Sequence, residues 1–194
     1  MIELNSAYGR YKKARDASWQ ALIDNKVDSL PVDVVRVANN NGITLLKNSK
    51  VNELRSSEAG ISVFDGSEWF IVYDDIANLG RKRFTIAHEF GHIFLGHEMI
   101  NGHHGRRMFD ISKPQVETEA DIFASRLLAP ACVLWGLGIG SAKDIESVCG
   151  ISTTAAKIRA ERMRVLYARG KFLTSPLERQ VFEQFRGFIE KTKK

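Results

Sequence analysis

The 194-residue chain is long enough for one domain with a real core, or for a domain plus a small appendage. Its 44% hydrophobic and 26% charged residues are those of an ordinary soluble globular protein. No apolar run approaches the roughly 18 residues of a membrane span, and Met1-Ile2-Glu3-Leu4-Asn5 lacks the basic and apolar regions of a secretory signal. The only cysteines, Cys132 and Cys149, fit no metal or redox spacing. They read as buried or inert thiols, and a cytoplasmic location is expected. The net charge of +5 is uneven: residues 151–194 hold 11 Lys and Arg against 4 Asp and Glu, while residues 1–150 hold 17 against 19. A basic tail of this kind is compatible with weak nucleic-acid contact, although a solvated helical surface is the simpler reading.

In chain order, residues 3–25 predict a helix, with Leu4, Tyr8, Tyr11, Arg15, Trp19 and Leu22 near one stripe. Pro31 suits the first turn of a short helix carrying Val34, Val35 and Ala38, and Asn39-Asn40-Asn41-Gly42 stops it. Strands are expected at Ile43–Leu46, Gly60–Phe64 and Trp69–Tyr73, the last two joined by a hairpin-like turn at Asp65-Gly66-Ser67-Glu68. A long helix then runs from about Leu79 to His97. Residues 98–114 are polar and Gly-rich and read as a surface loop, and a second helix covers about Gln115 to Leu128, ending before Pro130. Beyond it, Ser141–Val148 and Ser152–Leu166 form two helices across Cys149-Gly150-Ile151-Ser152, a turn of the helix-turn-helix kind. A last helix starts at Ser175-Pro176, where serine caps and proline fills the first turn. No repeat or low-complexity segment interrupts this order. The domain boundary is expected between Pro130 and Ser141, giving residues 1–135 and 136–194.

The chemistry concentrates in His88-Glu89-Phe90-Gly91-His92. Histidines four residues apart on a helix project from one face, one turn apart, and each can put a nitrogen about 2.0–2.1 Å from a single zinc ion. Glu89 is rotated off that line and is placed to reach a metal-bound water instead. Phe84, Ile86, Phe90, Ile93 and Phe94 make the surroundings apolar, and buried histidines and a glutamate in such a setting need something to neutralise them. Gly91 leaves room for close approach of another backbone.

A tetrahedral catalytic zinc needs a third protein ligand. His97 reads as a helix-end residue pointing to a different face, and His103 and His104 as surface histidines. The second helix is the better source, because its apolar face (Val116, Ala120, Phe123, Ala124, Leu127) has small residues that permit tight packing. Glu117 and Glu119 flank that face on opposite sides, and wheel geometry does not choose between them.

Arg83-Phe84-Thr85-Ile86-Ala87-His88-Glu89-Phe90-Gly91-His92, followed by Glu119-Ala120-Asp121-Ile122-Phe123-Ala124-Ser125-Arg126-Leu127-Leu128-Ala129-Pro130, resembles the ImmA/IrrE family of metallopeptidases. The likeness extends to the N-terminal helix, Leu30-Pro31-Val32-Asp33 and the helical tail. It implies an α+β fold: a zincin-like core, made of a small sheet and the motif helix, with a C-terminal helix-turn-helix-like region. It also implies His88, His92 and Glu119 as zinc ligands, Glu89 as catalytic base, and a helix-turn-helix transcriptional repressor as the protein cleaved; from the apolar pattern alone, no membrane partner is expected. Asp121 stands where the family commonly has Asn, and Ala129 where it commonly has Met. Neither departure removes a ligand, and Asp121 either orients a histidine or faces solvent.

The expected reaction is hydrolysis of one peptide bond, with Tyr73, His97, His103 and His104 as candidates for stabilising the oxyanion. Trp69–Tyr73 is the expected strand beside which an extended substrate lies. Two other readings fit the same motif: a zinc-bearing regulator that binds without cleaving, and a toxin-like partner of an adjacent helix-turn-helix antitoxin. Ile151, Ile158 and Leu166 read as packing residues rather than a base-reading face.

Overall fold

The computed structural model describes residues 2–97, 99–101, 107–109 and 114–193. The fold is α+β, with elements in the order α1 (Ile2–Asp24), α2 (Val34–Asn40), β1 (Ile43–Lys47), α3 (Asn48–Val51), β2 (Gly60–Phe64), β3 (Trp69–Tyr73), α4 (Leu79–Leu95), β4 (Met99–Asn101), β5 (Arg107–Phe109), α5 (Pro114–Leu128), α6 (Ala131–Leu137), α7 (Ala142–Cys149), α8 (Thr153–Ala168), α9 (Pro176–Gln184) and α10 (Arg186–Thr192). The chain forms two compact units. One comprises Met1–Ala17 with Val34–Ala124, the other Ser18–Asp33 with Ser125–Lys194, so the division falls within α1 and α5.

The first unit is built on a five-stranded sheet in the order β1-β3-β2-β5-β4. β1 runs parallel to β3, and the other pairings are antiparallel. The β2–β3 hairpin closes because Asp65 Oδ1 accepts the backbone N–H groups of Ser67 and Glu68 at 2.8 and 3.0 Å, with Gly66 at φ 109°. Helix α4 lies against β2 and β3. Its N-terminus is capped by Asn78, which accepts from the Arg81 N–H at 2.9 Å. Its inner face buries Ile86, Ala87, Phe90 and Leu95. Phe123 of α5 meets Phe90 and Phe94 with ring centroids 5.6 Å away from each.

Several sequence expectations change here. Residues 98–114 contain two paired strands, β4 and β5, which extend the sheet. β3 is interior, hydrogen-bonded to β1 on one side and β2 on the other, and so cannot receive an added strand. Pro31 precedes α2 rather than entering it, and follows a cis Leu30-Pro31 bond.

The second unit is helical. Ser141 and Ser152 cap α7 and α8, and Gly150, in the left-handed conformation, turns the chain between them. α6, an element not anticipated beyond Pro130, packs on α9 and α10, where a Cβ on Gly136 would collide with Phe182 and Ile189. Gln184 donates to the carbonyls of Leu22 and Val27 at 2.9 and 2.6 Å, tying α9 to the Ser18–Asp33 segment. Ile151 is buried as expected, but Ile158 is 68% exposed. Residues 114–137 match a membrane span in length and composition, yet 67% of the most apolar window is buried within the protein, as in a core helix.

Candidate metal centre

All the residues of the centre belong to the first unit. Helix α4 presents His88 and His92 one turn apart, their Nε2 atoms 3.1 Å from each other. Glu117, in the first turn of α5, faces both: Oε2 is 3.3 Å from His88 Nε2, and Oε1 is 3.4 Å from His92 Nε2. Three potential ligand atoms thus meet within one small volume. Two nitrogens about 2.05 Å from a tetrahedral zinc lie about 3.3 Å apart, so this spacing suits such an ion. Glu117 Oε1 is also buried without a hydrogen-bond partner among the described residues, an acceptor turned toward the point where a cation would sit.

The resemblance implies Glu119 as third ligand, but the carboxylate brought to His88 and His92 is that of Glu117. Two residues along a helix rotate a side chain by about 200°, so Glu117 and Glu119 leave α5 in nearly opposite directions. Glu119 lies instead beside His97, with Oε2 3.6 Å from His97 Nε2. Asp121, one turn beyond Glu117, accepts from His88 Nδ1 at 2.9 Å. It orients a histidine, the first of the two roles open to it.

Glu89 is buried under β2. Its Oε2 accepts a 2.6 Å hydrogen bond from Ser62 Oγ, which also lies 3.1 Å from the Glu89 carbonyl oxygen. Gly60 makes this approach feasible, since a Cβ there would run into the Thr85 side chain and come within 3.3 Å of Glu89 Cγ. Nothing in the sequence singles out Ser62 except its place in a predicted strand. Gly91 serves a ring rather than a backbone, because a Cβ would be 3.0 Å from Phe123 Cδ1.

His97 also departs from expectation. Helix α4 ends at Leu95, and Gly96 at φ 65° reverses the chain, so that the His97 N–H donates back to the His92 carbonyl at 3.2 Å. The imidazole therefore folds back against His92, Nδ1 to Nδ1 at 2.9 Å. His103 and His104 lie outside the described residues.

The electrostatics are those of a crowded, partly dry cluster. Burial depresses the His88 pKa, but hydrogen bonds to Asp121 and Glu117, with the charge of Glu89, more than reverse this and take it up to about 10. Burial and the neighbouring His88 charge push His92 down to about 4. Burial raises the Glu89 carboxyl, against the lowering influence of His88 and Ser62. The Glu117 carboxyl is lowered by its hydrogen bond to His88, against the opposing effect of burial. In the metal-free chain a proton on His88 thus occupies the place a cation would take.

Two histidines one helical turn apart, a converging carboxylate and a buried glutamate beside them, on a helix over a small sheet, define a metallopeptidase centre. Residues 45–161, more than half of the chain, match the family model Peptidase_M78, the IrrE N-terminal-like domain, and the chain belongs to that family of metallopeptidases. No curated protein matches it.

Proposed function

We propose that the chain is a zinc-dependent endopeptidase that cuts a helix-turn-helix transcriptional repressor at one peptide bond, relieving repression of mobile-element or stress-response genes. The observation that carries the hydrolytic reading is the His88, His92 and Glu117 cluster with Glu89 beside it. The ligand assignment is His88 Nε2, His92 Nε2 and a Glu117 oxygen, an N/N/O set that suits zinc. When bound, the ion lowers the pKa of its water towards about 7 and polarises the scissile carbonyl. Glu89, held by Ser62, takes the proton of the attacking water and passes it to the departing amine. Asp121 keeps the His88 proton on Nδ1 and so leaves Nε2 free to ligate.

An extended substrate requires a sheet edge. β1 and β4 are the outer strands of the sheet, and β4 begins two residues after His97. β4 is therefore the strand to which the substrate backbone adds in this reading. The repressor as target follows from the family resemblance. Its test is to mix purified chain with the repressor encoded beside it, with and without chelator. A defined product that chelator abolishes supports the reading, and an intact repressor beside a fully zinc-loaded chain overturns the choice of substrate.

A further inference from the structure

We propose that His97 and Glu119 act as a positioning pair for His92: Glu119 holds the His97 proton on Nε2, so that His97 Nδ1 accepts from His92 Nδ1 and the His92 Nε2 lone pair is left for the metal. The inference rests on the metal-centre reading above and gives a task to a buried acid and a buried histidine that the reading does not use.

Glu119 and His97 side chains are 11% and 6% exposed, whereas Asp121, on the same helix, is 58% exposed. A glutamate is seldom buried without a specific partner. The partner is fixed by local structure, because the left-handed turn at Gly96 lays His97 between His92 and α5.

Two neutral imidazoles meeting Nδ1 to Nδ1 at 2.9 Å share one proton. If His97 supplied it, the His97 Nε2 lone pair would face the Glu119 carboxylate 3.6 Å away, and the His92 proton would sit on Nε2, in the ligand position. If His92 supplies it, the His97 Nε2–H faces the Glu119 carboxylate 3.6 Å away, an electrostatically favourable approach longer than a hydrogen bond. Glu119 selects the second arrangement. His88 reaches the same tautomer directly, through Asp121 at 2.9 Å. Helix α5 therefore provides one ligand and two orienting acids at alternate positions 117, 119 and 121, the last two acting on different histidines. Carboxylates behind metal-bound histidines orient the ring and raise its basicity, and their removal weakens metal binding by about 10- to 100-fold.

The test uses the full chain and zinc alone, in competition with a chromogenic chelator, together with histidine side-chain ¹⁵N NMR. Glu119→Ala and His97→Ala should each weaken zinc binding about 10- to 100-fold. Glu119→Gln, which keeps an acceptor for the His97 proton, should recover most of the loss. In the metal-free wild-type chain His92 should carry its proton on Nδ1 and His97 on Nε2, and Glu119→Ala should shift the His97 Nε2–H signal while Glu119→Gln restores it. Unchanged zinc affinity in both alanine variants, or a wild-type His92 protonated on Nε2, overturns the proposal. The wild-type spectrum decides even where an alanine variant fails to fold. A wild-type chain that binds no zinc overturns the metal reading and this pair with it; zinc bound normally by wild type and by both variants overturns the pair alone.

Discussion

Ser62 Oγ lies 2.6 Å from Glu89 Oε2, so a strand hydroxyl grips the carboxylate assigned as the base. Burial works to keep that carboxyl protonated, and the Ser62 hydrogen bond opposes it. Ser62→Ala should therefore raise the Glu89 pKa and move the acid limb of the pH–rate profile to higher pH. A hydrogen bond to a charged group is worth about 1.5–3 kcal/mol, so kcat/KM should fall about 10- to 100-fold with zinc content unchanged. An unmoved acid limb in a variant of normal zinc content would remove Ser62 from the reaction.

Glu117 and Glu119 should separate cleanly in metal content. Glu117→Ala removes a carboxylate facing both ligand nitrogens and should leave no stoichiometric zinc after dialysis. Glu119→Gln should retain it. Elemental analysis of the two dialysed variants checks this, and the reverse pattern would restore Glu119 as the ligand that the resemblance implies.

Zinc binding should release a proton. The His88 pKa in the metal-free fold stands at about 10, above its usual 6.5, so at neutral pH the ring is protonated and the metal must displace that proton. The protonated ring stabilises the metal-free fold fully below about pH 6.5, and this contribution is lost as pH rises through about 10. Apparent zinc affinity should accordingly rise about tenfold per pH unit between roughly pH 7 and 9. Calorimetry in buffers of different ionisation enthalpy measures the proton count, and a flat affinity with no proton released would contradict it.

Phe123 joins the two helices that carry the centre. It is fully buried, meets Phe90 edge-on and Phe94 at a tilt, and fills the space left by Gly91. Phe123→Ala should cost about 3–5 kcal/mol in denaturant unfolding. Gly91→Val should also destabilise, because its Cβ would already meet the ring at 3.0 Å. A near-normal midpoint for both would show that α4 and α5 are not locked through this contact.

The parts of the site legible in the sequence were those that depend on one element. His88, Glu89 and His92 follow from helical spacing, and Asn78 and Gly96 bound α4 in the manner their residue types favour. What escaped depends on where elements turn or meet. Extending α4 to His97 mis-aimed that ring, because a single left-handed glycine sends it back against His92. Glu117 and Glu119 flank the same apolar face, and only the seating of α5 on α4 decides which reaches the histidines. Strands of three residues in a polar stretch, β4 and β5, carry too little alternation to be read, and without them β3 looked like an edge. Ser62 gave no signal, since a lone serine in a strand is commonplace until the strand crosses the metal helix.

The central claim is that His88, His92 and Glu117 hold a metal with which Glu89 hydrolyses a peptide bond. Its most direct test compares wild type and Glu89→Gln, each loaded with zinc, for cleavage of the neighbouring repressor. The account predicts equal, stoichiometric zinc in both, a single chelator-sensitive cut by wild type, and loss of that cut in Glu89→Gln. Cleavage by Glu89→Gln at the wild-type rate, or by wild type stripped of metal, would contradict it.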